Sequence, residues 1–476
     1  MKKVLIIGSE VMPFAATGGL GDVLGSLPAA LMRTGECEVR VMLPLYRAIG
    51  EQWRAKMRRE VAFEAPLAWR RQPCTVYSLT REGVVYYFLE NAYYFDRDGL
   101  YGHYDDGERF AWFCMAALTA LPHLDYFPDI LHANDWQAAL AVVYLNTHFR
   151  GRPGYDGIRT VFTIHNIAYQ GQFSHSVMGD VFALDAWEHD RMDCDGCINL
   201  MKGAIVSADR VTTVSPRYAA EICGWEHSYR LDGVLRENAH KLCGILNGID
   251  YRCYDPAADE GIARRFDAEH PERKAENKTA LQRELGLDER ADAPLFAVVA
   301  RFAAQKGLDL VAQIADELLA AGAQLIVLGC GEPALEDLFR GLEARYRRRV
   351  CAYIGYDRAL AKRVYAGCDI FLMPSRSEPC GLSQMIASRY GAIPVVRAVG
   401  GLADSICPYR EENGEIYGNG FVFYEDSAPA FAASVRAALA LWRDPARRHR
   451  LVRRIMRVDF SWERSATTYA ALYAAL

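Results

Sequence analysis

The chain has no excess of positive charge. Its 476 residues include 55 Lys and Arg against 60 Asp and Glu, which gives a formal net charge of −5. Proteins that bind nucleic acids need a basic surface that displaces counterions from the phosphates, so we do not expect nucleic acid as a partner. Any bound anion must be held by a few locally placed cations.

The chain also lacks long apolar runs. No segment approaches the roughly 20 consecutive apolar residues that cross a bilayer. The apolar stretch at residues 4–8 is shorter than the apolar region of a signal peptide and is typical of a buried first strand. We therefore expect a soluble, cytoplasmic protein with no membrane partner.

Closely spaced cysteines are scarce as well. The 13 cysteines form an odd, scattered set, which indicates free thiols in a reducing compartment rather than a disulfide framework. Cys194 and Cys197 have the spacing of a redox or metal motif. The sequence shows neither a second pair nor a histidine cluster beside them, so we expect neither a metal nor a cofactor.

What the chain does have is a regular alternation of short apolar runs and helical stretches, without repeats or low-complexity tracts. Runs rich in Val, Ile and Leu between helices are typical of parallel strands covered on both faces. These runs are residues 4–8, 39–43, 84–89, 130–132, 161–165, 211–215, 295–301, 325–329, 351–356, 370–375, 393–397 and 420–424. The pattern predicts an α/β protein with two doubly wound, Rossmann-like domains that face each other across a cleft.

Domain boundaries follow from a turn signal and from the C-terminal pattern. The Asn-Gly pair at 247–248 marks a turn. We expect an N-terminal domain at 1–246 and a C-terminal domain at 247–460. Residues 461–476 carry apolar residues at helical spacing and are expected to form a helix that docks back on the N-terminal domain.

Two glycine-rich turns each follow a strand-like run and precede a helix. One is Thr17-Gly18-Gly19-Leu20-Gly21, and the other is Glu378-Pro379-Cys380-Gly381-Leu382-Ser383. The N–H groups at a helix N-terminus can hold a phosphate. One such turn in each half of the chain indicates a phosphorylated ligand, although either turn alone could be purely structural.

Charged and polar side chains follow several of the predicted strands. Arg301 and Lys306 could neutralise a diphosphate, or they could form surface salt bridges. Glu378 could cap a helix or accept hydrogen bonds from a sugar. His165 and Asp135 end or follow neighbouring strands, a placement that favours a polar pocket.

An ordered series of motifs resembles the bacterial-type glycogen synthases and plant starch synthases, which are retaining glucosyltransferases of the GT-B fold. The resemblance runs from about residue 4 to the C-terminus. The motifs are Thr-Gly-Gly-Leu-Gly-Asp-Val (17–23), His-Ala-Asn-Asp-Trp (132–136), Thr-Ile-His-Asn (163–166) with Tyr-Gln-Gly (169–171), Asn-Gly-Ile-Asp (247–250), Gln-Lys-Gly-Leu-Asp (305–309), Glu-Pro-Cys-Gly-Leu-Ser-Gln (378–384) and Gly-Gly-Leu-Ala-Asp (400–404).

The resemblance implies transfer of glucose from ADP-glucose to the non-reducing end of an α-1,4-glucan such as glycogen. It implies catalytic roles for four side chains: Arg301 and Lys306 on the diphosphate, Glu378 on the glucose hydroxyls, and His165 against the transferred glucose. The implied substrate-binding residues are Thr17, Gly18, Gly19, Asp135, Asn166, Tyr169, Asn247, Tyr356 (which stacks on the adenine), Cys380, Gly381, Leu382 and Ser383.

Among the departures from the family pattern, which include Ser377 and Asp106-Gly107, one bears directly on the donor site. The family has Lys immediately before Thr-Gly-Gly-Leu, whereas this chain has Ala16. Losing a cation that stabilises the leaving phosphates could lower the rate by roughly 10²–10³. Two alternatives therefore stay open: the same fold with a different nucleotide-sugar donor or acceptor, or a glucan-binding relative with an impaired donor site.

Overall fold

The computed structural model describes all residues, Met1–Leu476, and the chain divides into two compact units. Unit 1 comprises Met1–Gly248 together with Trp462–Leu476, and unit 2 comprises Ile249–Ser461. No helix combines the length and the apolar character needed to cross a membrane. Each unit is an α/β structure with its own large sheet, so the predicted α/β class with parallel-sheet domains is confirmed.

Unit 1 is built on a nine-stranded sheet with the strand order β12-β11-β7-β6-β1-β2-β5-β4-β3, and a small sheet with the order β8-β10-β9 lies apart from it. The strands are β1 (Lys2–Ile7), β2 (Cys37–Pro44), β3 (Arg58–Leu67), β4 (Arg70–Arg81), β5 (Val84–Glu90), β6 (Ile130–Asn134), β7 (Arg159–Ile164), β8 (Gln172–Phe173), β9 (Asp193–Cys194), β10 (Cys197–Asn199), β11 (Arg210–Thr213) and β12 (Leu242–Gly244). All neighbours from β12 to β5 are parallel. Strands β3 and β4 extend one edge as an antiparallel ribbon, which the sequence analysis did not predict.

The helices of unit 1 cover its sheet. They are α1 (Gly19–Arg33), α2 (Glu51–Arg54), α3 (Ala92–Phe95), α4 (Asp106–His123), α5 (Asp135–Tyr144), α6 (His189–Met192), α7 (Leu200–Ser207), α8 (Pro216–Glu221) and α9 (Asp232–Glu237). Local chemistry fixes several of their starts. At α8, for example, the Ser215 hydroxyl accepts the N–H of Tyr218 at 2.9 Å, and Pro216 occupies the first turn, where it needs no hydrogen-bond acceptor.

Unit 2 has a six-stranded, wholly parallel sheet with the order β15-β14-β13-β16-β17-β20, and a separate hairpin of β18 and β19. Its strands are β13 (Leu295–Val299), β14 (Gln324–Gly329), β15 (Val350–Ile354), β16 (Ile370–Met373), β17 (Ile393–Arg397), β18 (Arg410–Glu412), β19 (Glu415–Tyr417) and β20 (Phe421–Phe423). Its helices are α10 (Lys274–Glu284), α11 (Leu308–Ala320), α12 (Pro333–Arg345), α13 (Arg358–Gly367), α14 (Ser383–Arg389), α15 (Gly400–Ser405), α16 (Ala428–Trp442) and α17 (Pro445–Met456). Strands β13, β14, β16 and β17 are almost fully buried, as sheets covered on both faces require.

The last helix, α18 (Trp462–Ala474), belongs to unit 1 and packs on α1. Its Tyr473 hydroxyl lies 2.7 Å from Nδ1 of the fully buried His132 in the middle of the central strand β6, and Nε2 of that histidine lies 2.6 Å from the Thr163 hydroxyl. Burial lowers the pKa of His132 to about 3, so the imidazole is neutral near pH 7. This histidine therefore ties the C-terminal helix to the sheet of unit 1.

We predict that Tyr473→Phe destabilises the protein by about 1–3 kcal/mol, because it leaves a ring nitrogen of His132 buried without a hydrogen-bond partner. The free energy of unfolding in urea measures the effect. The matched control is Tyr104→Phe, whose side chain is 94% exposed and should lose less than about 0.5 kcal/mol. Equal stability of the two variants would contradict the role given to this contact.

Candidate active site

The glycine-rich turn of unit 1 is held by a carboxylate that the sequence analysis missed. Glu10, which is 5% exposed, accepts the N–H and the hydroxyl of Thr17 at 2.6 and 2.8 Å, and the N–H of Gly18 at 3.1 Å. Gly18 is the N-cap of α1 and has no side chain with which to cap it. The carboxylate therefore satisfies donors at the turn and fixes its conformation.

One position of the turn, Gly21, is packed too closely for a larger residue. A Cβ atom on Gly21 would lie 2.3 Å from the Cβ of Ala16 and 3.4 Å from a carboxylate oxygen of Glu10. Ala16 itself is half-buried, whereas Thr17, Gly18 and Gly19 are exposed. The structure therefore presents the predicted residues of this turn at the surface of unit 1.

A second group of predicted residues meets where β6 and β7 end side by side. Asp135 starts α5 at a φ of +56°, and its carboxylate accepts the N–H of His165 at 2.7 Å. The Asn134 amide donates to the carbonyl oxygens of Ile7 and His132, both at 3.2 Å, which turns its own oxygen toward His165. His165 Nε2 lies 2.9 Å from this oxygen and must donate, so Nδ1 carries the lone pair.

Burial sets the charge of this group. It lowers the pKa of His165 to about 3, which makes the ring neutral near pH 7. The pKa of Asp135 is raised to about 7, mainly by burial and to a smaller extent by the Glu10 carboxylate. The backbone N–H groups of His165 and Asn166 lower this pKa but do not offset the effect of burial. A neutral imidazole beside a carboxyl group that is half protonated near neutral pH can exchange hydrogen bonds with sugar hydroxyls without adding positive charge.

Three more predicted residues of unit 1 remain: Asn166 and Tyr169, which follow His165 in the sequence, and Asn247. Asn166 accepts the N–H of Ala168 at 3.0 Å and so shapes the turn that presents Tyr169, whose side chain is about half exposed. Asn247 is 5% exposed, and its side-chain oxygen is buried without a hydrogen-bond partner. Because buried polar atoms are nearly always paired, this oxygen is a candidate ligand contact.

In unit 2 the structure brings Lys306 and Glu378 into a mostly buried ion pair. The ammonium lies 2.6 Å from one oxygen of Glu378, and the Ser375 hydroxyl donates to the same oxygen at 3.0 Å. Lys306 ends a short 3₁₀ turn, and the next residue, Gly307, has a φ of +64°. A Cβ there would lie 2.0 Å from the carbonyl oxygen of Pro374, so only glycine lets this turn approach the strand end.

Arg301 and Tyr356 are placed differently. Arg301 follows β13, is exposed and makes no ion pair, so its charge is available to a ligand. Tyr356 follows β15 and is 83% exposed, which leaves its ring open for stacking. Both residues therefore follow strands of the same parallel sheet, as expected for ligand contacts in an open α/β structure.

The second glycine-rich turn, residues 380–383, packs directly against the start of α15. A Cβ on Gly400 would lie 2.0 Å from the Glu378 carbonyl oxygen, and one on Gly401 would lie 2.0 Å from that of Cys380. The Gly401 N–H donates to the Glu378 carbonyl at 3.1 Å. Inside the turn, the Gln384 amide donates to the carbonyls of Cys380 and Gly381. Leu382 and Ser383 then lead into α14, with the loop backbone held from both sides.

Comparisons with known proteins agree with this architecture. Residues 3–237 match the family described as the starch synthase catalytic domain, and residues 282–455 match the glycosyl transferases group 1. The chain is 47% identical over 476 residues to a glycogen synthase of Geobacillus thermodenitrificans, covering 100% of this chain and 98% of the relative. It is 46% identical, with the same coverage, to a glycogen synthase of Geobacillus stearothermophilus.

The chain belongs to the glycogen and starch synthase family. Among solved structures, it is similar to the catalytic domain of starch synthase IV from Arabidopsis thaliana bound to ADP and acarbose, with a TM-score of 0.91, 35% identity, and coverage of 100% of this chain and 99% of that one. A sucrose-phosphate synthase from Thermosynechococcus elongatus, at 19% identity and a TM-score of 0.60, shares the fold. The predicted family and the GT-B fold class are confirmed.

Three residues that organise this synthase-family site were absent from the predicted set: Glu10, Asn134 and Ser375. Asn134 and Ser375 lie at strand ends, which was the available signal, but an Asn or Ser there is common in any α/β protein. Glu10 follows the first strand by three residues, and nothing in the local sequence pairs it with Thr17. In contrast, His132, which ends the predicted run at 130–132, lies in the middle of β6 and contacts the C-terminal helix instead of an exposed site.

We predict that Asp135→Asn changes the pH dependence of stability. The folded protein holds the Asp135 proton more tightly than the unfolded chain, so the contribution of this residue to stability is present at low pH and is lost as pH rises from about 4 to about 7. Asn cannot titrate and tolerates positive φ. Urea unfolding should show the variant gaining about 2 kcal/mol relative to wild type between pH 5 and pH 8.

The control for this experiment is Asp125→Asn, an exposed residue also at positive φ (+47°). Its stability relative to wild type should not change with pH. A pH-independent difference for both variants would show that Asp135 is ionised throughout this range.

Proposed function

We propose that this protein transfers glucose from ADP-glucose to the non-reducing end of an α-1,4-glucan such as glycogen, with retention of configuration. The observation that carries the proposal is the mostly buried Lys306–Glu378 pair next to the glycine-rich turn at 380–383, in a chain of the glycogen and starch synthase family. This arrangement supplies a fixed cation, a sugar-binding carboxylate and backbone N–H groups from one set of loops.

The donor diphosphate would be held by charge and by backbone dipoles. Arg301 is exposed and unpaired, so its guanidinium can donate hydrogen bonds to two phosphate oxygens at once, while Lys306 adds a point charge. The N–H groups of residues 381–383 lie at the start of α14, where the helix carries partial positive charge. When the bond between the glucose C1 and the phosphate oxygen breaks, these groups stabilise the negative charge that develops on ADP.

The glucose would be positioned by Glu378. Lys306 and Ser375 both contact its Oε2, which leaves Oε1 to accept hydrogen bonds from glucose hydroxyls. A carboxylate held by two partners keeps its orientation during the reaction, and this lowers the cost of reorganisation in the transition state.

Unit 1 carries further groups suited to sugars. His165 and Asp135 can bind sugar hydroxyls, Asn247 offers its unpaired oxygen, and the exposed ring of Tyr169 can pack on a glucan residue. The acceptor hydroxyl would attack C1 from the face that ADP leaves, and a departing phosphate oxygen would take its proton. The new bond then keeps the α configuration.

We also place this activity in the cytoplasm, because all 13 cysteines are free thiols and ADP-glucose is an intracellular type of metabolite. Ala16 motivates one competing proposal. Without a cation at this position the donor site could be impaired, and the chain would then bind glucan without transferring glucose efficiently.

A donor screen tests the proposed function. Purified protein with glycogen is expected to release nucleoside diphosphate from ADP-glucose faster than from UDP-glucose or GDP-glucose, and NMR of the product should show new α-1,4 linkages. Ala16→Lys, assayed in parallel, should raise kcat/KM for the preferred donor by up to about 10²–10³, because it adds a cation at the donor phosphates. Release from none of the three donors by either protein would contradict transfer, and glycogen binding alone would favour the competing proposal.

Lys306→Gln tests the role of the ion pair. We predict a fall in kcat of about 10²–10³ with ADP-glucose, because a preorganised cation is lost while the amide can still donate to Glu378. The matched control is Arg340→Gln, which removes an exposed charge on α12 that pairs with Glu336 and Asp337. Circular dichroism should show both variants folded. A kcat for Lys306→Gln within about twofold of the control would exclude Lys306 from catalysis.

A further inference from the structure

The small sheet of unit 1 carries a cluster of two histidines and an aspartate that no part of the proposed reaction uses. His175 lies in a 3₁₀ turn just after β8, His189 begins α6, and Asp193 begins β9. His175 Nε2 is 2.7 Å from a carboxylate oxygen of Asp193. The two imidazole rings stack with their centroids 4.9 Å apart and an interplanar angle of 22°.

We propose that His175, His189 and Asp193 bind a divalent transition-metal ion, with zinc as the physiological occupant. One potential ligand atom from each residue lies within 4.8 Å of the others. In a tetrahedral zinc site with bonds of about 2.0–2.1 Å, ligand atoms are about 3.4 Å apart, so small side-chain rotations would close the cluster. Two imidazoles and one carboxylate suit zinc and its neighbours rather than magnesium or calcium, and water would complete the coordination.

Exposure and local charge both favour such an ion. The side chains are 35%, 48% and 35% exposed, respectively, which permits rotation and metal entry. Among neighbouring charges, Arg191 is paired with Glu188 and Arg230 with Asp195. The one nearby ammonium, that of Lys202, donates to the backbone carbonyls of Asp190 and Asp193. No Lys or Arg side chain forms an ion pair with Asp190 or Asp193, so their carboxylates remain able to attract a cation.

The adjacent cysteine pair is not part of this ligand set. Cys194 follows Asp193 in β9, and successive side chains of a strand point to opposite faces. The Cys197 thiol donates to the Cys194 carbonyl at 3.1 Å. Between the two, Asp195 and Gly196 have φ values of +53° and +77°, as the tight turn of a two-residue hairpin requires. The Cys-x-x-Cys spacing is thus that of a hairpin, and the histidines supply the metal ligands.

A bound ion would crosslink the segment from residue 175 to residue 193 and hold β8 against the β9–β10 hairpin. The small sheet has only two- and three-residue strands, so its own ladder contributes little stability. Strand β8 begins immediately after Gly171, so the same ion would also restrict the Tyr169–Gly171 turn. We infer a structural metal that takes no part in the chemistry of the transfer reaction.

Cobalt substitution tests the site in the full-length protein after chelator treatment and gel filtration. Addition of Co²⁺ should give one equivalent of tetrahedral d–d absorption without thiolate-to-cobalt charge-transfer bands, and Zn²⁺ should displace it. His189→Ala should weaken the binding by at least tenfold while the far-UV circular dichroism stays unchanged, because this side chain is on the surface. His449→Ala, an exposed histidine on α17, is the matched control and should bind like wild type.

Hydrogen exchange gives a second readout that does not depend on activity. The amides to follow are those in residues 172–199 that exchange through a local opening in which the metal is released. At a Zn²⁺ concentration 100 times the Kd, their exchange should slow by up to about 100-fold in wild type. It should not slow in His189→Ala. Equal metal affinity of wild type and His189→Ala would overturn the proposal. So would charge-transfer bands that disappear in Cys197→Ser, since the ligands would then be thiolates.

Discussion

The ion pair between Lys306 and Glu378 is the interaction on which the candidate site of unit 2 depends. Each partner is nearly removed from water, with side-chain exposures of 17% and 7%, so each charge lowers the cost of burying the other. The pair joins two loops that follow β13 and β16, neighbouring strands of one sheet. The close approach of Gly307 to Pro374 makes this meeting possible, because any side chain at residue 307 would push the loops apart.

In both units an acidic residue holds the glycine-rich turn in place. In unit 1 the Glu10 carboxylate accepts two backbone N–H groups and the hydroxyl at the start of α1. In unit 2 the turn after Glu378 is fixed through that residue's own carbonyl, which accepts from Gly401, while its carboxylate holds the lysine. A glycine-rich loop loses much conformational entropy on folding, so each loop needs such an anchor to keep one shape. An acidic residue thus fixes the backbone of both turns, through its carboxylate in unit 1 and through its carbonyl oxygen in unit 2.

The sequence predicted most of the parallel strands of both sheets, but it did not predict the antiparallel ribbon of β3 and β4 at the edge of the unit 1 sheet. Runs such as residues 325–329 are continuously apolar because both faces are covered, and this signal does not depend on distant contacts. Strands β3 and β4 alternate polar and apolar residues and lie at one edge of the sheet, so their composition resembles that of a surface segment.

The residues that hold other site residues in place were not predicted from the sequence. Asn134 contacts His165, which is 31 residues away, and this contact exists only because β6 and β7 are neighbours in the sheet. Glu10 contacts Thr17, which is only seven residues away, but this contact depends on how the loop after β1 folds, and no local pattern predicts it. The proximity of His175 and His189 was not predicted either, because the two rings come together only when the small sheet has folded.

The balance of charge indicates which cation matters most under the proposed mechanism. In unit 1 the glycine-rich turn carries the Glu10 carboxylate and, with Ala16, no compensating ammonium. In unit 2 the charge of Lys306 is largely offset by Glu378, to which it is bound. Arg301 is the predicted donor contact whose charge is exposed and uncompensated. A diphosphate leaving group gains more from an unpaired guanidinium than from an ammonium that already faces a carboxylate, because the second interaction is partly cancelled at short range. Under the proposed mechanism, Arg301 would therefore carry a larger share of the transition-state stabilisation than Lys306.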